Sequence, residues 1–173
     1  MSLTNLSPGD KCPEVVLAII EIPERSDIKY ELDKETGVIM ADRFLHGSNV
    51  FPFNYGFIPG TMTGDGDPTD IVVISSSRMS PGTGIKVRPI GMLEMQDEEG
   101  PDAKIIAVPI AKVDPFYAHV NEITDLDEPT RLLVKHFFDT YKLLEKGKFV
   151  KTGNYVGKEA AYKEIKSSIV KNK

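Results

Sequence analysis

Residues 64–70 read Gly-Asp-Gly-Asp-Pro-Thr-Asp and run straight into the apolar segment Ile71-Val72-Val73-Ile74. Gly and Pro bend the backbone, and the apolar run after them has the composition of a buried strand. The fold must therefore bury a strand whose entrance carries three carboxylates, Asp65, Asp67 and Asp70. In an extended chain Asp65 and Asp67 point to the same side, and Asp70 can return toward them from the first position of the strand. Without a counter-charge such groups repel one another and resist burial, so the turn either lies open to water or holds a divalent cation.

The nearest lookalike is the calcium loop of an EF-hand, which needs Gly at position 6 and Glu at position 12. Counted from Asp65, those positions are Asp70 and Ser76, and a strand follows where a helix is required. That loop is rejected. A carboxylate-rich, all-oxygen donor set without Cys or His suits a hard cation, so Mg²⁺ or Mn²⁺ is preferred over Zn²⁺. A solvated acidic turn is the plainer alternative for these residues taken alone.

The 173 residues, 40% apolar and 27% charged, fit one domain with a sizeable core. We assign residues 1–173 to that single domain, having found no repeat, low-complexity tract or linker. The longest apolar stretch, 15–20, is flanked by Glu14 and Glu21 and is far short of the roughly 18 residues of a membrane helix. No basic segment followed by an apolar stretch and a cleavage site opens the chain. Cys12 has no second cysteine to pair with. A cytoplasmic location is the expectation. A net charge of -5 argues against general nucleic-acid binding. Any polyanionic ligand must therefore be met by a local group of Lys and Arg. The late lysines Lys142, Lys146, Lys148 and Lys151 read by default as a solvated helix end and the strand after it.

Residues 15–22 predict a buried strand, and 29–44 a hairpin turning at Lys34-Glu35-Thr36-Gly37, with Tyr30, Leu32, Val38 and Met40 supplying the alternation. Further short strands are expected at 71–75, 84–95 and 104–110, a spacing typical of a barrel or sandwich. Residues 49–64, dense in aromatics, Gly and Pro, read as an ordered loop packed across the core. Helix is expected only late. There Asp127 or Glu128 caps, Pro129 takes the first helical position, Leu133, Phe137, Tyr141 and Leu144 form a stripe, and Gly147 ends the run. A second helix spans about 158–170, with Ala161, Ile165 and Ile169 on one face.

A second acidic group, Asp97-Glu98-Glu99-Gly100-Pro101-Asp102, lies between two predicted strands and is followed by Lys104. A barrel could bring the two groups together at one end and hold more than one divalent ion, although a surface loop explains the second group by itself. Lys29, Arg43, Tyr55, Tyr141 and Lys142 are each ordinary in isolation, as surface strand residues, a core ring and part of an apolar stripe. Taken with the carboxylates, they supply what a phosphate-rich substrate needs, since cations bridge its oxygens and fixed positive side chains hold its far side.

The segment Asp-Gly-Asp-Pro-Thr-Asp resembles the signature of the soluble family I inorganic pyrophosphatases. The likeness continues through Glu-Ile-Pro, Lys-Tyr-Glu, Asp-Arg-Phe, Phe-Pro-Phe-Asn-Tyr-Gly, Arg-Pro-Ile-Gly, Asp-Glu-Glu-Gly-Pro-Asp-Ala-Lys, His-Phe-Phe and Tyr-Lys-Leu-Leu-Glu-Lys-Gly-Lys, from about residue 6 to 151. The length is similar to that of the short prokaryotic members. The resemblance implies an α+β, mainly β fold, an OB-like five-stranded barrel with flanking helices. It also implies Mg²⁺-dependent hydrolysis of pyrophosphate to two orthophosphates, with several Mg²⁺ per site and Mn²⁺ as a possible substitute.

Carried over by position, Asp65, Asp70 and Asp102 match ligands of the most tightly held metal, Asp70 also serving its neighbour. Asp97 and Asp102 match ligands of a metal that accompanies the substrate. Asp67 matches the general base, and Glu21 and Glu31 match acidic residues that support the metal and water network. Lys29, Arg43, Tyr55, Lys104, Tyr141 and Lys142 match positions that contact phosphate or order the site. The resemblance also implies a homo-oligomer, commonly a hexamer, in which His136 with Phe137 or Phe138 could lie at a contact, although a buried helix face explains them equally well. One departure is Phe51, where many members carry Tyr. Its ring can pack but cannot hydrogen-bond, and it is left out of the site.

Three other readings use the same residues: a metal-dependent phosphoesterase or nucleotide hydrolase, an OB-like module binding single-stranded nucleic acid through Tyr55 and Phe57, and a metal-stabilised structural protein. The acidic balance speaks against the second.

Overall fold

Strand β1 (Val16–Ile22) is buried at nearly every position and pairs antiparallel on both of its edges, with β4 (Asn54–Ile58) and with β6 (Gly84–Asp97). From β4 the hydrogen bonding passes to β5 (Thr69–Val73), from β5 in parallel to β8 (Lys104–Pro109), and from β8 back to β6. Five strands thus close into a ring with two helices outside it, the OB-like barrel expected from the sequence. The computed structural model that shows this describes residues 3–64 and 66–170.

The long β6 extends beyond the ring, where it pairs with the two-residue β7 (Gly100–Pro101) and with β9 (Val150–Gly157). Strands β2 (Ile28–Leu32) and β3 (Ile39–Phe44) form a separate two-stranded sheet. Among the described residues no helix is long and apolar enough to cross a membrane.

Successive residues of β5 and β8 go to opposite faces, as the two-residue period of a strand requires. Ile71, Val73, Ile105 and Ala107 join one apolar cluster, which also takes Ala161 and Ile165 from helix α2 (Lys158–Ser168). Val72, Ile74, Ile106 and Val108 join the other, with Val134, Phe137 and Phe138 from helix α1 (Glu128–Thr140). Being buried on both faces explains why 71–74 is an unbroken apolar run rather than an alternating one. Each large side chain so buried contributes roughly 1.5–3 kcal/mol.

Four expectations are corrected. Residues 49–64 are not all loop, because β4 runs through their middle. The strand is disguised by Gly56, whose backbone passes so close to β1 that an added Cβ would lie 1.8 Å from the Ile19 carbonyl oxygen. In α1 the Asp127 side chain caps Thr130 N–H as expected, but Pro129 is the second helical residue and the helix ends at Thr140. The buried stripe is Val134, Phe137 and Phe138, with Tyr141 packed against it, whereas Leu133 and Leu144 are exposed at 50% and 68%. Val38 and Met40 also face outward, since the hairpin stands off the ring and only Leu32 of its alternating set is buried. Of the two readings of Phe137 and Phe138, the buried helix face is the one found, both belonging to the core of this chain. Of the three residues considered for a contact between subunits, only His136 is exposed.

Candidate active site

The aromatic segment that precedes and enters β4 sets one wall. Phe51 and Phe137 ring centres are 4.6 Å apart, and Phe137 stacks on Tyr141 at 5.1 Å. The Phe51 ring is thus a packing element, as its lack of a hydroxyl suggests. This cluster carries Tyr55 and Tyr141, which lie at its edge and line a cleft of about 1080 Å³. Every sequence-nominated residue among those described lines that cleft: Glu21, Lys29, Glu31, Arg43, Tyr55, Asp67, Asp70, Asp97, Asp102, Lys104, Tyr141 and Lys142. Asp65 lies outside the described residues.

Parallel pairing of β5 with β8 sets Ile71 beside Ile105, so Asp70 and Lys104, one residue earlier on each strand, become neighbours. The Lys104 ammonium, its side chain only 6% exposed, meets Asp70 and also Asp102 Oδ1 at 2.5 Å. Two carboxylates from the two acidic groups therefore converge on a single positive atom. Across the cleft Lys142 Nζ lies 3.1 Å from Asp97 Oδ2 and 3.6 Å from Glu98 Oε1. On the hairpin, Lys29 is paired with Glu31 and lies 3.5 Å from Asp42. Arg43 is held by Asp42 at 2.5 Å and by Glu145 at 3.0 Å. At the hairpin turn Lys34 is paired with Asp67 and bonds the Gly66 carbonyl at 3.1 Å.

The electrostatics are those of carboxylates short of positive charge. Burial, with Asp70 and Glu31 nearby, pushes Glu21 up to about 7 despite the 2.8 Å bond it accepts from Leu32 N–H. Burial also raises Asp102, and the charges on Asp70 and Asp97 add to this against the pull of Lys104. Tyr55 is raised by burial and by Asp70 and Asp102. Burial alone would lower Lys104, yet Asp70 and Asp102 drive it upward.

Among the described residues no three His, Cys, Asp or Glu side chains close around one point. Mg²⁺ does not require such a cage, because it keeps several waters and takes one or two carboxylates. The convergent pair Asp70 and Asp102, joined by Asp97 on the same cleft, fits that chemistry.

A family model for inorganic pyrophosphatase matches residues 18–173. The chain belongs to the inorganic pyrophosphatase family. It is 53% identical to the inorganic pyrophosphatase of Aquifex pyrophilus over 98% of this chain and 96% of that one. It is 44% identical to that of Escherichia coli over 100% and 99%. The crystal structure of inorganic pyrophosphatase from Thermus thermophilus superposes with a TM-score of 0.95 at 43% identity, covering 98% of this chain and 97% of that one. Coverage of this extent on both sides marks it as one of the short, bacterial-type inorganic pyrophosphatases.

Beside the positions matched to the inorganic pyrophosphatase family, the cleft is lined by Lys34, Asp42, Glu98 and Lys148, and Glu145 sets the Arg43 side chain. Sequence reasoning did not select these as site residues. Glu98 belongs to the second acidic group and Asp42 directly precedes Arg43, but strand alternation alone would send Asp42 to the face opposite Arg43. A bulge overrides that rule at Asp42. Lys29 pairs with Arg43 and Tyr30 with Ala41, leaving Asp42 as the extra residue. Such a bulge re-aims side chains beside an active site. Lys34, Lys148 and Glu145 left no local signal, because their partners lie 33, 50 and 102 residues away (67 − 34, 148 − 98, 145 − 43).

Proposed function

We propose that the cleft hydrolyses inorganic pyrophosphate to two orthophosphates with Mg²⁺, Asp67 acting as general base. Membership of the inorganic pyrophosphatase family makes the chain a hydrolase of pyrophosphate. The observation that carries the finer reading is the meeting of Asp70 and Asp102 on one cationic point inside a cleft otherwise edged by Lys29, Arg43 and Lys142.

Asp65, Asp70, Asp97 and Asp102 would hold the divalent ions, with Mn²⁺ as a possible substitute. Bound there, the ions would neutralise the substrate and bring the pKa of a water toward neutrality. Asp67 takes the proton of the attacking water. Lys29, Arg43 and Lys142 bind the far phosphate and stabilise charge as it builds on the leaving group, a role that rewards donors fixed before the reaction. Tyr141 and Tyr55 donate hydrogen bonds at neutral pH, both being pushed further into their neutral form by burial. Glu21 and Glu31 support the network of metal and water, and Lys104 orders Asp70 and Asp102.

A cytoplasmic location and a homo-oligomer, hexameric by the family resemblance, belong to the same proposal. The exposed apolar residues Leu132, Leu133, Leu143 and Leu144 on and after α1 support a contact there. The substrate is tested by comparing orthophosphate release from pyrophosphate, ATP and a phosphodiester in Mg²⁺. Fast release confined to pyrophosphate is expected, and equal or faster release from ATP or the diester would favour a general phosphoesterase.

A further inference from the structure

Three buried polar residues, Thr61, Thr69 and Ser168, lie together at the base of the acidic turn. Ile58 carbonyl accepts from Thr61 Oγ1 at 2.5 Å, and the same Oγ1 accepts from Thr69 N–H at 2.9 Å. Thr69 Oγ1 bonds Ser168 Oγ at 2.7 Å, and Ser168 Oγ donates to the Ile165 carbonyl at 3.0 Å. Since the single Ser168 proton is committed to Ile165, Thr69 is the donor in the bond between the two hydroxyls. Backbone bonds reinforce the junction, from Met62 N–H to Ser168 carbonyl at 2.7 Å and from Val170 N–H to Gly60 carbonyl at 3.0 Å.

The end of α2 is therefore tied to the chain that opens and closes the acidic turn, the Ser168 carbonyl finding its partner in Met62 N–H and its hydroxyl in Thr69. Thr69 directly precedes Asp70 and lies two residues after Asp67. The turn itself contains Gly64 and Gly66, the latter at φ +88, and is closed on itself by bonds from Thr63 N–H and Thr63 Oγ1 to the Asp67 carbonyl at 2.7 and 2.9 Å, so it moves as a unit about its two ends. Lys34 and Lys104 hold the Asp67 and Asp70 carboxylates themselves, and what the anchors at its two ends set is where the turn that carries them sits. Thr61 anchors one end and Thr69 the other, and Ser168, 99 residues away in sequence, fastens the second.

We propose that Ser168 is a positioning residue for the acidic turn, acting through Thr69 to hold Asp67 and Asp70 where a divalent cation is bound. This rests on the reading of the cleft as a Mg²⁺ site. Nothing in the fold of the ring requires the hydroxyl pair, because β5 is already held by its ladders to β4 and β8. What the pair adds is the setting of the residues at the strand's entrance.

The test is Mg²⁺ binding to the substrate-free protein by calorimetry, for wild type, Ser168→Ala, the near-isosteric Thr69→Val, and Thr69→Ser, which keeps a hydroxyl. The first two variants should weaken Mg²⁺ binding by ~5- to 10-fold, the effect of losing about one neutral hydrogen bond. Thr69→Ser should stay within about twofold of wild type. Amide exchange at 66–70 should quicken in Ser168→Ala and Thr69→Val. Unchanged Mg²⁺ affinity in either folded variant would overturn the proposal, as would loss of folding in both, which would make the pair purely structural. Wild type that neither binds Mg²⁺ nor needs it for pyrophosphate hydrolysis would instead remove the underlying reading.

Discussion

Lys29 and Arg43 face each other as direct cross-strand partners on the β2–β3 hairpin. Like charges so placed destabilise a hairpin, and here Glu31, Asp42 and Glu145 offset the repulsion. Both side chains line the cleft, and the proposed binding of a polyanion there would account for a fixed pair of cations. Arg43, with a planar fork of donors, suits bidentate contact to phosphate, and Lys29 acts as a point charge.

Lys29→Ala and Arg43→Ala should therefore lower kcat/KM for pyrophosphate by about tenfold or more, the scale of a charged hydrogen bond lost to substrate. Removing either cation also relieves repulsion, so melting should shift by no more than a few degrees. Kinetics and thermal melting of the same samples check both halves. Unfolding in both variants would make the residues structural.

Asp67→Asn should keep the fold and reduce turnover by at least about 10²-fold, as expected for loss of a general base. Steady-state kinetics at saturating Mg²⁺ measures this, and near-normal turnover would remove the assignment.

Lys104→Met leaves Asp70 and Asp102 without the ammonium between them. In EDTA this should lower stability by roughly 2–3 kcal/mol, since breaking a buried pair strands its partners while Asp70, 31% exposed, keeps part of its hydration. Thermal melts in EDTA and in Mg²⁺ decide it, and Mg²⁺ should recover more stability in the variant than in wild type.

Glu21 has an ordinary value of 4.5 and is pushed up to about 7 in the fold, first by burial. Its neutral form is thus favoured on folding. That contribution is fully present below about 4.5 and is lost as pH rises through about 7. Glu21→Gln keeps an oxygen for Leu32 N–H without the charge. In EDTA it should stabilise the protein at pH 8.5 more than at pH 5, as read by melting temperature, and an equal effect at both would contradict the assignment.

Gly56→Ala should destabilise by more than about 3 kcal/mol or prevent folding, because the new methyl must displace the Ile19 backbone. Urea unfolding measures it, and a loss below about 1 kcal/mol would mean that β1 and β4 yield more easily than their geometry suggests.

Local chemistry made much of this legible. Asp127 as a cap, the strand expected at 71–75 and found at Thr69–Val73, and the turn ending at Gly37 follow from what each residue does to its own backbone. Strand β4 was hidden because Gly56 serves a close approach to a strand some 37 residues earlier (56 − 19), which no local pattern encodes. The expected α1 stripe fails at Leu144 because the helix ends at Thr140 and the chain after it no longer keeps helical phase, and at Leu133 because the buried face is centred on Val134, Phe137 and Phe138. In the cleft the roles proposed for the motif residues rest on resemblance. The ion pairs that orient them, Arg43 with Glu145 and Lys34 with Asp67, depend on long-range folding.

The most direct test is orthophosphate release from pyrophosphate by the purified protein, followed in excess EDTA and then as Mg²⁺ is added beyond the chelator. Release should be absent in EDTA and return with Mg²⁺. Undiminished release in EDTA, or none from pyrophosphate with Mg²⁺ in excess, would contradict the account.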